Sequence, residues 1–385
     1  MLGGLWGVYA SFGMVSGSLA PVLSRVRDDF GASESALGLA LGAWQFVYLF
    51  TALPSGRMLD RIGLRRGVIV GGLIIVASAL LRALAQGPAT LWLAVGLFGI
   101  GGPLVSIGAA KLVSAWFEAS ERSKAVGIYS TAAPAGSMFS LLTAENVWIP
   151  LFGSWRWVLV AFAVLALGTV VVWWRISTSA PFPEIELTAD QDAPFFSPLR
   201  DAGVRWVMLF AVGSFFISHG LGNWLPTMLV EGGWSRGASN LVVGLGVACG
   251  IVGSLTIPRR VPANRATVAM GVLFALTGLS IALIAASPDL VQVTGVLLTG
   301  VVRVSLLPVG MLMLMANKSV SAERMGAAGG LFFTAGEIGG VLGPFVLGSL
   351  RDTSGDFDSG FLLLVLLALT LAATATPIAW RQAAR

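Results

Sequence analysis

Runs of about twenty apolar residues, cut by short polar or charged stretches, recur along the whole chain. A helix of that length spans ~30 Å, the thickness of a bilayer's hydrocarbon core. The pattern predicts helices near residues 2–24, 35–56, 67–85, 90–116, 125–147 and 155–176. Six more are predicted near 206–229, 238–257, 266–286, 290–315, 326–349 and 359–380. The longest polar stretch, residues 177–204, carries 4 prolines and most of the acidic clustering, so it reads as an irregular linker. The expected architecture is an all-α integral membrane protein with twelve transmembrane helices in two six-helix bundles. The bundles occupy 1–176 and 205–385, with 177–204 between them.

Composition agrees, since 56% of the residues are hydrophobic and 11% charged, too few charges to solvate a water-soluble surface of this size. With both termini in the cytoplasm, 17 of the 24 lysines and arginines fall on the cytoplasmic side, 6 outside, and Arg303 in a span. That is the positive-inside bias of a multi-pass protein of the cell's inner membrane, and it accounts for the net charge of +5 without a nucleic-acid partner. The first helix begins directly after Met1 with no basic leader, so it reads as a retained span with a trimmed cytosolic tail. The lone Cys249 sits in an apolar run as filler. No phosphate-binding GxxxxGK(S/T) motif occurs, and no cluster has metal-ligand spacing. Nucleotide-driven pumping, a cofactor, a metal site and enzyme chemistry are therefore not expected.

The stretch from Gly56 to Arg66, GRMLDRIGLRR, sets four arginines and Asp60 between two apolar runs, and reads as an aqueous loop. It resembles the loop signature of the major facilitator superfamily, with Gly56, Asp60, Arg61, Gly63, Arg65 and Arg66 on matching positions. An internal repeat points the same way. SERSKAVG, Ser120 to Gly127, returns 202 residues later as AERMGAAG, Ala322 to Gly329, each entering a glycine-rich helix with a proline, Pro134 or Pro344. The loop with Arg259, Arg260 and Arg265 is a degraded echo of the first. The resemblance implies two homologous bundles, a substrate held between them near the midplane, and secondary transport by alternating access. It also implies that Gly56, Asp60, Arg61, Gly63 and Arg65 form a conformational gate, Asp60 facing a helix N-terminus or an arginine. The competing reading is that the arginines only fix topology.

Ionisable groups deep in the spans bear on the cargo, because burying one is costly. Arg303, Glu337 and His219 are central in their predicted helices, all in the second half. The resemblance implies that helices 1, 4, 7 and 10 line the cavity, which puts Arg303 and His219 beside the substrate and Glu337 one helix away. Arg303 reads either as an oxyanion clamp, for which guanidinium offers a planar donor fork, or as a structural partner of Glu337. Glu337 is the candidate proton carrier. His219 reads as a proton or substrate group or as a satisfied structural histidine. Asn223 and Trp224 offer a polar and an aromatic contact. Tyr9, Ser11, Trp44, Gln45 and Tyr48 offer lining from the first half or ordinary packing. Lys111 is expected to snorkel, and Arg82, Glu145 and Glu231 to sit at external ends in the interface or in rim ion pairs. Gly336, Gly339, Gly340 and Gly343 let helices approach and slide.

Two branches of the family are echoed. The segments Trp224-Leu-Pro-Thr-Met-Leu and Glu231-Gly-Gly-Trp-Ser look like cyanate-type carriers, and the stretch ending in Gly56–Arg66 is similar to monocarboxylate and oxalate/formate carriers. Both imply a small anionic cargo, moved by a monomer with protons or a counter-anion as co-substrate. Export of lipophilic or cationic compounds, with Arg303 merely neutralising Glu337, is an alternative, and a transport-dead sensor or scaffold is another.

Overall fold

A computed structural model describes residues 1–178, 196–286, 290–317, 319–320 and 325–383, and every regular element among them is helical. The first six helices are α1 (Leu2–Ser16), α2 (Leu23–Phe30), α3 (Glu34–Leu41), α4 (Ala43–Ile62), α5 (Leu64–Ala83) and α6 (Pro88–Trp116). Next come α7 (Ala119–Ser130), α8 (Ala132–Thr143), α9 (Ile149–Phe152) and α10 (Trp155–Thr178). The remainder are α11 (Ala202–Glu231), α12 (Arg236–Arg260), α13 (Ala266–Ala286), α14 (Leu290–Met315), α15 (Met325–Ser354) and α16 (Asp358–Ala383). Leucines such as Leu84, Leu93 and Leu290 stay exposed, as lipid-facing side chains do.

Among the described residues, 10 helical segments are long and apolar enough to cross a membrane. The two remaining predicted spans, 2–24 and 125–147, are interrupted instead of continuous. After α1 the chain passes Gly17 and a 3-10 turn at Ala20–Val22 holding Pro21, whose ring removes a helix donor. Ser16 and Ser18 turn their hydroxyls back to the carbonyls of Gly13 and Val15, at 3.1 and 2.8 Å. Thr131 separates α7 from α8 while its hydroxyl donates to the Ile128 carbonyl at 2.7 Å. A π-helical turn over Ala144–Trp148 follows, and it carries Glu145 to Arg25 in a two-pronged ion pair of 2.6 and 2.8 Å.

The expected aqueous loop at Gly56–Arg66 is mostly helix. α4 runs to Ile62 and α5 starts at Leu64, so Gly63 alone makes the turn, at a φ of 81° that favours glycine. The arginines therefore ride on helix ends. Arg61 is exposed, and Arg65 buries an Nε that has no hydrogen-bond partner among the described residues. Lys111 does not simply snorkel: its Nζ donates to the Gly56 carbonyl at 3.4 Å, tying α6 to α4. The side chain of Asp60 lies outside the described residues.

Two compact units separate. The first holds the described residues of Met1–Leu187 with Leu225–Val230 and Trp234–Gly244; the second holds those of Thr188–Trp224, Glu231–Gly233 and Leu245–Arg385. The expected linker falls largely on 179–195, outside the described residues. In the first unit, Asn240 donates to the Pro21 carbonyl at 3.0 Å, and Arg236 pairs with Asp28 at 3.2 Å. Arg156 caps α5 by donating to the carbonyls of Ala83 and Ala85 at 2.8 and 2.6 Å, and it reaches Asp29 at 2.8 Å. In the second unit, Glu231 pairs with Arg351 at 3.1 Å. Arg82 departs from its expected place at a rim: it is fully buried, donates to the Val15 carbonyl at 2.6 Å, and lies over the Phe98 ring.

One crossing recurs in both units. Gly13 of α1 rests on the Ala133 carbonyl of α8, and Gly136 of α8 on the Ala10 carbonyl of α1. In the second unit Gly339 of α15 rests on the Val212 carbonyl of α11, and Gly343 on that of Phe216. A Cβ at any of these positions would overlap backbone, whereas one at Gly56 would meet open space. Gly339→Val is thus expected to cost more than ~1–3 kcal/mol and to lower the thermal midpoint and folded yield in detergent, with Gly56→Ala near wild type. Equal midpoints for the two variants would refute the close crossing.

Candidate functional site

The crossing of α11 by α15 sets up the chemistry of the second unit. Gly336 faces the Phe215 ring, where a Cβ would come within 2.8 Å, so the helix carrying Glu337 lies directly on the helix carrying His219. Glu337 is buried, and its Oε2 stands 3.9 Å from His219 Nε2, too long for a hydrogen bond and short enough for an ion pair when the imidazole is protonated. The Phe215 ring lies 5.7 Å from the imidazole. Below it, Asn223 donates to the His219 carbonyl at 2.8 Å, which leaves its own amide oxygen to accept. Trp224 is fully buried and donates to the Pro344 carbonyl at 2.8 Å, so it anchors α15 and offers no ring surface to a cargo.

Arg303 enters from α14. Its Nη1 donates to the Ser218 carbonyl at 2.7 Å, and Gly222 leaves it room, since a Cβ there would sit 3.6 Å from the same nitrogen. The Nε is buried without a hydrogen-bond partner, and no carboxylate of the described residues lies within ion-pair distance. Of the two readings of Arg303, the ion pair with Glu337 is the one the geometry does not make. A cation held by a single neutral carbonyl keeps most of its donor fork and all of its charge for something else.

The structure thus brings Arg303, His219, Asn223 and Glu337 together in the second unit and puts Tyr9 in the first. Several first-half candidates are packing. Ser11 is buried and shares a 2.8 Å hydrogen bond with Thr169, while Trp44 and Gln45 lie inside the bundle. Tyr48 is half-buried, bonded to Ser106 at 3.2 Å. Tyr129, which sequence reasoning passed over, stands against Tyr9 with ring centroids 5.8 Å apart. The signal available was rarity, because the chain has only 3 tyrosines.

The model of the Major Facilitator Superfamily matches residues 5–344. The chain belongs to the major facilitator superfamily. It is a multi-pass membrane transporter, and not an enzyme. A quinolone resistance transporter of Acinetobacter baumannii is 27% identical, covering 88% of this chain and 84% of its own. The hexuronate transporter of Bacillus subtilis is 23% identical over the same shares, 88% and 84%. The gentisate transporter of Corynebacterium glutamicum is 26% identical over 90% of this chain and 80% of its own. Among solved structures, a bacterial homologue of the human lysosomal transporter Spinster covers 99% of this chain and 96% of its own at a TM-score of 0.75 and 16% identity, which establishes the shared fold. These relatives do not single out the cyanate-type or oxalate/formate branches echoed at Trp224, Glu231 and Gly56–Arg66.

In this superfamily member Gly222 stands next to Nη1 of Arg303, so a larger side chain there would crowd the guanidinium. Gly222→Ala, at ordinary van der Waals distance, is expected to keep transport near wild type, whereas Gly222→Leu crowds Arg303 and lowers initial rates at least tenfold, a loss of ~1.4 kcal/mol. Equal rates for both variants would show that this side of Arg303 is not used.

Proposed function

We propose that the protein is a secondary transporter of a small organic anion, with Arg303 as its oxyanion-binding group. The observation that carries this reading is the unmatched charge of Arg303, half-buried and without a carboxylate partner among the described residues. A cation in that setting is stabilised by an anion that supplies two acceptors to its planar fork. The hexuronate and gentisate named for two relatives are both carboxylates, which supports the choice. His219 and Asn223 lie in the same unit, with one titratable and one amide group, and Tyr9 is a substrate-contact candidate in the first unit. Glu337 is the proton carrier, next to the only histidine and apart from the arginine.

The cycle is alternating access in a monomer, driven by protons or a counter-anion, in an inner membrane with both termini cytoplasmic. Gly56, Asp60, Arg61, Gly63 and Arg65 serve as the gate of that cycle, and the Lys111 contact to the Gly56 carbonyl supports a mechanical role there. A second reading, export, is favoured by the relative named for quinolone resistance. It keeps Glu337 as the proton site but needs no anion at Arg303.

Proteoliposomes separate the two. Wild type is expected to accumulate labelled small carboxylates, and Arg303→Ala to lose a charge-assisted pair of ~1.5–3 kcal/mol, about ten- to a hundredfold in apparent affinity. Carboxylate transport indifferent to Arg303, or absent in wild type, would favour the exporter.

A second experiment isolates the proton. Glu337→Gln keeps the shape of the side chain but carries no exchangeable charge, so cargo exchange at equal pH is expected to persist. Accumulation driven by a pH gradient is expected to vanish. A variant whose pH dependence matches wild type would remove Glu337 from the coupling.

A further inference from the structure

All 3 tyrosines of the chain gather in the first unit. Tyr9 on α1 and Tyr129 on α7 face each other with ring centroids 5.8 Å apart and planes at 53°. Tyr48 on α4 joins them through Trp44, whose ring lies 6.3 Å from that of Phe12. Phe12 lies 5.3 Å from Tyr9, and Trp44 lies 6.2 Å from Tyr48, so the rings form one continuous aromatic wall. All three tyrosines are half-buried. The wall is therefore reachable.

The hydroxyls say more than the rings. Phenylalanine would pack the same contacts without a polar atom, and a partly buried phenol normally finds a partner. Tyr48 has Ser106 at 3.2 Å. The hydroxyls of Tyr9 and Tyr129 make no hydrogen bond to any described residue. Two adjacent phenols that can each donate and accept, set in an aromatic wall, match a ligand with a flat ring and a polar substituent.

We propose that Tyr9 and Tyr129, backed by Tyr48 and Phe12, form a subsite for the ring of a small hydroxylated aromatic compound. The subsite belongs to the first unit alone, so its failure and the failure of the anion reading are separable. The ring stacks at the offset or edge distances that aromatic pairs favour, and its hydroxyl exchanges hydrogen bonds with the two phenols.

Binding to the purified full-length protein tests it, with 4-hydroxybenzoate, benzoate, cyclohexanecarboxylate and the uncharged 4-hydroxybenzyl alcohol as probes. Wild type is expected to bind in the order 4-hydroxybenzoate, benzoate, cyclohexanecarboxylate, each step about three- to tenfold in Kd. The conservative double variant Tyr9→Phe, Tyr129→Phe, which keeps the rings packed, is expected to erase the first step and keep the second. Arg303→Ala, which changes only the second unit, is expected to leave binding of 4-hydroxybenzyl alcohol unchanged. Equal affinity for 4-hydroxybenzoate and cyclohexanecarboxylate overturns the subsite even when both depend on Arg303, in which case the anion reading stands. Tyrosine-dependent binding of the alcohol with no carboxylate binding upholds the ring subsite and overturns the anion reading. Absence of binding by every ring compound overturns the subsite.

Discussion

A glycine laid against a neighbouring helix's carbonyl is the contact on which both units are built. In lipid no hydrophobic force drives helix on helix, so association depends on close approach and on the van der Waals contact it permits. Gly13 and Gly136 supply it between α1 and α8; Gly339 and Gly343 supply it between α15 and α11. Recurrence of the crossing in each unit is what a duplicated six-helix ancestor would leave behind, and the repeat of SERSKAVG as AERMGAAG falls in α7, just ahead of α8, in one half and runs into α15 in the other. The consequence in the second unit is chemical. With α15 pressed onto α11, Glu337 arrives 3.9 Å from His219. A bulkier residue at the crossing would move the carboxylate away, so the spacing of the ionisable pair is inherited from the packing of groups that have no side chain.

Electrostatics then separates Arg303 from that pair. A buried ion pair with Glu337 would have cancelled two charges at the expense of an available donor fork, and such pairs often contribute little net stability. Bonding the guanidinium to the Ser218 carbonyl keeps it in place and charged. Arg82 offers a useful contrast in the first unit. It too has no carboxylate partner among the described residues, yet it is fully buried against the Val15 carbonyl and the Phe98 ring. On the proposed function the difference between the two cations lies in access, since Arg303 is half-buried and Arg82 is fully buried.

Much of this was legible in the sequence, for identifiable reasons. Apolar run length reports helices directly, because a bilayer forces every backbone polar group into one. Arg303, Glu337 and His219 stood out because an ionisable group in the middle of a span is costly wherever it points. What was not legible concerns rotation and breakage. Run length cannot register that Ser16, Ser18 and Pro21 break the first span, since those residues are tolerated inside apolar segments. Nor does position along one helix say which group on another it meets, so Arg303 was left open between Glu337 and cargo. Arg82 was misplaced at a rim because nearness to a helix end was taken for exposure. The hinge was read as a loop from its charge, although charged residues continue a helix readily and only Gly63 needs the turn.

The distribution of chemistry between the units bears on coupling. Charged candidates lie in the second unit, and phenols and aromatic rings in the first. On the proposed function, an anion at Arg303 is a charge in the same unit as Glu337 and His219, and two unit charges ~4 Å apart at an effective dielectric near 20 would interact by about 4 kcal/mol, less at longer range. That interaction favours a proton on the Glu337–His219 pair while the anion is bound. Linkage makes the effect reciprocal: a proton on the pair must favour the anion by the same factor. On that reading coupling needs no motion to carry it between units, because the cargo and proton groups lie in one unit. Motion is needed only to choose the face to which the loaded site opens, and on the proposed function that task falls to helix ends such as those at Gly63, where the chain turns on a single residue.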